Sequence, residues 1–261
     1  LGLICEATIQ LTRPPAASTV LVLGIDNFPA ILDVLRVFSA EIDLSAFEFF
    51  SQAALDKVTE HQGHVKPFET RTPFYALLEF ETANESVLES AMALFETCVE
   101  EGWVLDGVLS QSLAQAKALW KLREDISETL WHWQPYKNDI SVRVSRMPDF
   151  LREVDELVAG RYPDFEVIWY GHIGDGNLHL NILRPEILSN EEFVAKCGTV
   201  SAEIGQLLAK YEGSISAEHG VGLLKKEYLH YSRSPLEIKL MREIKKVFDP
   251  NLILNPGKLF D

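Results

Sequence analysis

Two of the seven histidines stand seven residues apart in the stretch Gly171-His172-Ile173-Gly174-Asp175-Gly176-Asn177-Leu178-His179-Leu180-Asn181. Gly174-Asp175-Gly176 is a turn signal, because Gly and Asp tolerate the positive φ that tight hairpins need. A hairpin here folds His172 back towards His179 and makes a two-imidazole site. After the turn the pattern alternates strictly: Asn177, His179 and Asn181 on one face, Leu178, Leu180 and Ile182 on the other. Ordinary solvated strand surface favours Thr, Lys and Glu, so an Asn-His-Asn face points to a ligand. A second polar cluster, Ser216-Ala217-Glu218-His219-Gly220-Val221-Gly222, sits among glycines that let backbone approach a ligand closely. Its Glu218 adds a carboxylate to the two imidazoles. Two His and one carboxylate form a common open metal site, suited to Zn²⁺ or Mn²⁺ and also to non-haem Fe(II). His219 is next in line and on an extended segment points away from Glu218, so it reads as a general base rather than a ligand. The plainer alternative is a turn with two incidental histidines and Glu218 on the surface.

A third cluster comprises Trp120-Lys121-Leu122-Arg123-Glu124 with Ser127, followed by Tyr136-Lys137-Asn138-Asp139. Arg123 and Ser127 are four apart and share a helix face, and Lys137 lies just before an expected strand. Arg and Lys beside a metal would hold a carboxylate substrate, Arg through its bidentate fork. A solvated helix face with ion pairs explains Arg123 equally well. Arg143, in Ser141-Val142-Arg143-Val144, either joins the same pocket or faces water. His61, His64, His132 and His230 read as surface residues, and Cys5, Cys98 and Cys197 as small core residues.

The elements that must carry these groups follow from periodicity and turn residues. Strands are expected at 19–25, 44–50, 74–81 and 103–109, with helices at 29–41, 52–61 and 86–101. That order is the split β-α-β-β-α-β pattern. A long helix over 111–131 leads to the same order again: a strand at 139–144, a helix at 148–158, the hairpin strands, a helix at 191–211 and a short strand at 213–217. The last helix, 234–248, is stopped by Asp249-Pro250. The expected class is α+β, with duplicated ferredoxin-like (βαββαβ) units forming an antiparallel sheet covered by helices. The Asn/Pro/Gly-rich tail 251–258 has no reason to fold alone and should dock on something.

The 261 residues suffice for one large domain or two small ones. With 47% apolar and 24% charged residues the chain is expected to be globular and soluble. A formal charge of −15 argues against nucleic acid or an anionic membrane as partner, so an anionic substrate needs a local cluster of cations. No apolar run approaches the length of a membrane span. The three cysteines are scattered and form no CxxC, which suits a reducing, cytoplasmic setting. Leu1 runs straight into strand-like sequence, as expected for a piece of a longer protein.

Taken together, GHIGDGNLHLN at 171–181, SAEHGVG at 216–222, WKLRE at 120–124, YKNDISV at 136–142 and DPNLILNPGK at 249–258 resemble the C-terminal half of FAD-linked D-2-hydroxyacid dehydrogenases of the vanillyl-alcohol-oxidase type. LSAFEF at 44–49 is most similar to the branch acting on D-2-hydroxyglutarate, rather than those acting on D-lactate or glycolate. The resemblance implies a two-domain flavoenzyme. Residues 1–18 would end the FAD-binding domain, with 1–11 as its last strand, and form the linker. Residues 19–233 would be the substrate (cap) domain, and 234–261 a helix and tail returning to the flavin domain. It implies a divalent metal, usually Zn²⁺, on His172, His179 and Glu218. It implies substrate contacts from Arg123, Ser127, Lys137 and Asn181, His219 as base, and Asn255 and Lys258 against the flavin. It implies oxidation of a small 2-hydroxy acid to the 2-oxo acid, with an electron-transfer flavoprotein or quinone, not NAD, as acceptor, and a homodimer as a compatible assembly. Two departures stand out: Ser127 replaces the usual Thr but keeps the hydroxyl, and Arg143 stands where Pro is common. Two readings compete: a metal-dependent hydrolase or non-haem iron oxygenase without flavin, and a metal-binding module that turns nothing over by itself.

Overall fold

The computed structural model describes residues 2–11, 17–82 and 84–260. Seven strands, β1 (Ser18–Ile25), β2 (Leu44–Ser51), β3 (Phe74–Glu81), β4 (Val104–Leu109), β5 (Tyr136–Ser141), β6 (Glu166–His172) and β7 (Asn177–Leu183), form one sheet in the order β4-β1-β3-β2-β6-β7-β5. Every neighbouring pair is antiparallel. The helices are α1 (Phe28–Glu41), α2 (Gln52–Gln62), α3 (Glu85–Glu100), α4 (Leu113–Glu124), α5 (Ile126–Leu130), α6 (Met147–Arg161), α7 (Asn190–Lys210) and α8 (Pro235–Phe248). The class is α+β, as the alternating periodicities predict. Among the described residues no helix is long and apolar enough to cross a membrane.

Side-chain oxygens fix where most helices begin. Asn27, Ser51, Asn84 and Ser112 each accept a backbone N–H of the first turn, and Ser189 and Ser234 form reciprocal capping boxes with Glu192 and Glu237. The period-2 strands then split their side chains between two cores. On one face Leu21, Leu23, Ile25, Phe49, Leu178, Leu180 and Ile182 pack against α1, α3, α6 and α7. On the other Val20, Val22, Phe50, Tyr75, Leu77, Ile168 and Tyr170 pack against α2, α4 and α5. That second helical layer covers the β4-to-β6 part of the sheet and leaves the same face of β7 and β5 to loops.

Several boundaries differ from the sequence reading. The helix over 111–131 is broken at Asp125, whose carboxylate is held 2.7 Å from His64 Nε2 and 3.1 Å from Lys121 Nζ. The chain restarts as the short α5 and a 3-10 turn, Trp131–Trp133. His64 is therefore half-buried and bonded, while His61, His132 and His230 are exposed as expected. The strand expected at 139–144 is β5, which starts earlier and includes Lys137. The strand expected at 213–217 shrinks to one antiparallel bridge, Ser141 to Ser214. Cys98 and Cys197 are core residues, but Cys5 is exposed. Residues 2–11 are exposed and form no strand; residue 1 and most of the expected linker, 12–16, lie outside the described residues. Residues 251–258, expected to dock, are all exposed, and the anchoring contacts come just after them: Leu259 N–H donates to Gly222 O at 2.9 Å, and Phe260 is buried.

Candidate active site

The hairpin of β6 and β7 turns at Gly176, with φ of 69°, where an added Cβ would run into the carbonyl oxygen of Val142. Register then lines polar residues up in rows on the sheet face that carries α2, α4 and α5, running from the edge of that layer onto β7 and β5. Glu48, His172, Asn177 and Ser141 form one row; Tyr170, His179 and Asp139 the next; Asn181 and Lys137 a third. Asn177, His179 and Asn181 are all buried, although their strand-mates on the opposite face are Leu and Ile.

His172 and His179 meet edge to face with centroids 5.5 Å apart. Glu218, on the loop after the Ser214 bridge, brings Oε1 to 3.6 Å from His179 Nε2. One ligand atom from each of His172, His179 and Glu218 falls within 4.8 Å of the others. A tetrahedral ion with bonds near ~2 Å holds its ligands roughly 3–4 Å apart, so small rotations close the set around a metal. The ring nitrogens suit the task. His172 Nδ1 lies 2.7 Å from Glu48 Oε1, and because a carboxylate only accepts, Nδ1 is the donor and Nε2 is the nitrogen left to face a cation. That hydrogen bond raises the His172 pKa, against the opposing pull of burial. Burial, then the charge of Arg123, push the His179 pKa down to about 3, so its ring is neutral.

Asp139 organises the loop that carries Glu218 and His219. Its Oδ2 accepts the backbone N–H groups of Glu218 at 3.1 Å and His219 at 3.0 Å. Burial alone would raise its pKa; those two N–H groups, with Lys225 beside them, outweigh burial and hold it below the ordinary range. Lys225 Nζ donates to Asp139 O at 3.0 Å and to Ser216 Oγ at 3.3 Å, and burial lowers its pKa. His219 stands at the rim, its side chain 66% exposed, with Nδ1 3.7 Å from Asp139 Oδ2 and Nε2 3.4 Å from Glu218 Oε1. Asp139, Glu218 and His219 also bring one possible ligand atom each within 4.8 Å of one another, but Lys225 Nζ, 3.7 Å from Asp139 Oδ2, would repel a cation there.

The cation cluster required by the sequence charge is present. Arg123 is buried, pairs with Glu48 Oε2 at 2.9 Å and stacks 4.7 Å over the Tyr170 ring. Lys137 Nζ donates to Ser127 Oγ at 3.1 Å and lies 4.5 Å over Trp131; burial lowers its pKa. Arg123, Ser127, Lys137, Asn181, His172, His179, Glu218, His219, Lys225 and Lys258 all line one open cavity of about 670 Å³. Asn181 Oδ1 and Asp139 Oδ1 are buried there without a hydrogen-bond partner, as expected where a ligand supplies the missing contacts.

Residues 14–259 match the family model described as FAD linked oxidases, C-terminal domain. The chain belongs to this family. It is 58% identical over 260 residues to a D-2-hydroxyglutarate dehydrogenase of Stutzerimonas stutzeri, covering 100% of this chain and 56% of that protein. It is 52% identical over 261 residues to one of Xanthomonas citri pv. viticola, covering 100% of this chain and 55% of that protein. It thus spans about half the length of these relatives. The fold is shared with a solved 4-ethylphenol oxidase from Gulosibacter chungangensis, at a TM-score of 0.65 and 12% identity, covering 97% of this chain and 55% of that one.

Within this FAD-linked C-terminal domain, nine of the ten site residues expected from sequence converge on the one cavity. The exception is Asn255, which sits off it at a positive φ of 46° beside Gly2, Leu3 and Phe248. Arg143 resolves to the surface, paired with Glu212 at 2.7 Å, both side chains about 70% exposed. Sequence reasoning gave no role to Glu48, Asp139, Tyr170 or Lys225. For Glu48 the only signal was a lone acid between phenylalanines, and for Asp139 an acid within a polar strand.

Proposed function

We propose that this chain is the substrate- and metal-binding half of an FAD-dependent dehydrogenase that oxidises a D-2-hydroxy acid, D-2-hydroxyglutarate foremost, to the 2-oxo acid. The observation that carries the reading is the convergence of His172, His179 and Glu218 within 4.8 Å, in a cavity that also presents Arg123 and Lys137. A divalent metal, Zn²⁺ by its ligand set, would rest on those three residues and acidify the substrate hydroxyl, while the flavin takes the electrons. Because the flavin is the redox partner, a redox-silent ion suffices, which favours Zn²⁺ over Fe(II).

The chain's own residues do the rest. Arg123 and Lys137 bind and orient carboxylates, and two separate cations suit a dicarboxylate better than lactate or glycolate. Asn181 offers its amide to the substrate. His219, its Nδ1 turned to Asp139, accepts the hydroxyl proton at Nε2. Lys258 is the tail's contribution on the flavin side. The electrons then pass to an electron-transfer flavoprotein or a quinone.

We also read residues 19–233 as two βαββαβ units. The order β4-β1-β3-β2 suits the first, and β6-β7-β5 with the Ser214 bridge beside β5 suits the second. Residues 234–261 return to a flavin domain, a reading supported by α8, which buries none of its residues and exposes Leu236, Leu240, Ile244 and Val247.

The test is anaerobic bleaching of the flavin of the full-length protein by a panel of D-2-hydroxy acids. Fastest bleaching by D-2-hydroxyglutarate, abolished by chelator and restored by Zn²⁺, is expected. Faster bleaching by D-lactate or glycolate reassigns the substrate. Turnover without flavin reduction overturns the proposal in favour of a flavin-independent metalloenzyme.

A further inference from the structure

We infer that Glu48 is a positioning residue that ties metal loading to carboxylate recognition, one of its oxygens orienting the His172 imidazole and the other the Arg123 guanidinium. The inference rests on the proposed metal site and adds a residue to it. Glu48 lies in β2 directly across from His172, within an otherwise apolar run, and only 7% of the residue is exposed. A carboxylate so buried needs compensating donors or positive charge. Oε1 is hydrogen-bonded to His172 Nδ1 at 2.7 Å, and Oε2 faces Arg123 Nη2 at 2.9 Å as an ion pair without hydrogen-bond alignment.

Each contact has a chemical consequence. The bond to Nδ1 fixes the His172 tautomer and ring orientation and makes Nε2 a better donor to a cation. The pair with Arg123 keeps the guanidinium over Tyr170, its carbon 4.7 Å from the ring centroid. It leaves Arg123 Nε buried without a partner, so a ligand's carboxylate can complete the fork. Glu48 also screens a fixed positive charge from the neighbouring cation site; without it Arg123 and a divalent ion would repel each other across a poorly hydrated gap.

The test uses the full-length protein and the variants Glu48→Gln, Glu48→Ala and His172→Ala. Zn²⁺ affinity is measured by competition with a chromophoric chelator. Binding of 2-oxoglutarate to the metal-stripped protein is measured by calorimetry, and circular dichroism checks folding. Glu48→Ala is expected to weaken Zn²⁺ by about 10–100-fold, the usual cost of losing an outer-shell partner, and to weaken 2-oxoglutarate as well. Glu48→Gln keeps an acceptor for Nδ1 but no charge for Arg123. It should recover part of the Zn²⁺ affinity and none of the anion affinity, and being isosteric it carries the test if the alanine variant does not fold. Folded variants with both affinities at wild-type values overturn the inference, and loss of one affinity alone overturns the coupling. If His172→Ala itself keeps wild-type Zn²⁺ affinity, the metal reading fails first; if it loses Zn²⁺ while both Glu48 variants keep it, only the role of Glu48 fails.

Discussion

The two faces of β7 share a backbone and diverge in chemistry. Leu178, Leu180 and Ile182 disappear into an apolar core closed by α1, α3, α6 and α7. Asn177, His179 and Asn181 are buried to a similar degree, yet the Oδ1 atoms of both asparagines find no partner. A folded chain places its packing where neighbours complete it and its orphaned polar atoms where something else does. Burial therefore does different work on the two faces: on one it is the source of stability, and on the other it holds a set of donors and acceptors in place for a ligand.

The largest expected effect lies at the rim of the polar face. Replacing His219 with Gln in the full-length protein should slow flavin reduction by roughly 10²–10⁴, the range for a lost general base. Stopped-flow absorbance measures it, and an unchanged rate removes His219 from the reaction. The contrast between faces is sharpest at adjacent residues. Leu180→Ala should cost about 2–5 kcal/mol of stability through the cavity it leaves, while the surviving folded protein keeps its metal. His179→Ala should lose the metal and cost less stability, because water in the open cavity fills the space. Urea titration with metal analysis of both variants checks this, and a larger stability loss at His179 would erase the distinction.

A smaller effect is expected at the clamp. Arg123→Lys keeps the charge but loses the fork and the stacking on Tyr170. It should raise KM for the 2-hydroxy acid by roughly 10–100-fold, the worth of a charged hydrogen bond at about 1.5–3 kcal/mol, with a lesser change in kcat. A change in kcat alone would place Arg123 outside substrate binding.

How much of this was legible in the sequence depended on range. The hairpin was legible because its period and its Gly-Asp-Gly turn are local, and His172, His179 and Glu218 because His and Glu are unusual among glycines. Glu48 was not: in LSAFEFF it is one acid in an apolar run, and its partner His172 lies 124 residues away. The break at Asp125 was hidden for the same reason, since His64 is 61 residues distant. The strand expected at 213–217 failed because, after the Ser214 bridge, the Asp139 carboxylate and Lys225 capture the loop in place of a ladder. Asn255, in the tail, followed family likeness alone; it lies outside the cavity, with its Oδ1 accepting from Lys258 Nζ at 3.5 Å.

The smallest expected effect concerns that tail. Asp249 accepts N–H groups from Ile253 and Leu254 and pairs with Lys245 at 3.0 Å. Burial works to raise its pKa, but Lys245 and those N–H groups prevail and leave it below the ordinary carboxylate value. A depressed folded-state pKa contributes stability above the unfolded value near ~3.9 and loses it as pH falls through the folded one. Hydrogen exchange at residues 250–258 should therefore quicken below about pH 4, ahead of the sheet, and Asp249→Asn should show that exchange already at neutral pH. Exchange that quickens in tail and sheet together would contradict this.

Metal content of the full-length protein, set beside that of His172→Ala, His179→Ala, Glu218→Ala and Leu180→Ala, bears most directly on the polar face as a cation site. The account predicts one zinc per chain in the parent and in Leu180→Ala, and loss of that zinc in the other three. Equal zinc in all five, or none in a fully active parent, would contradict it.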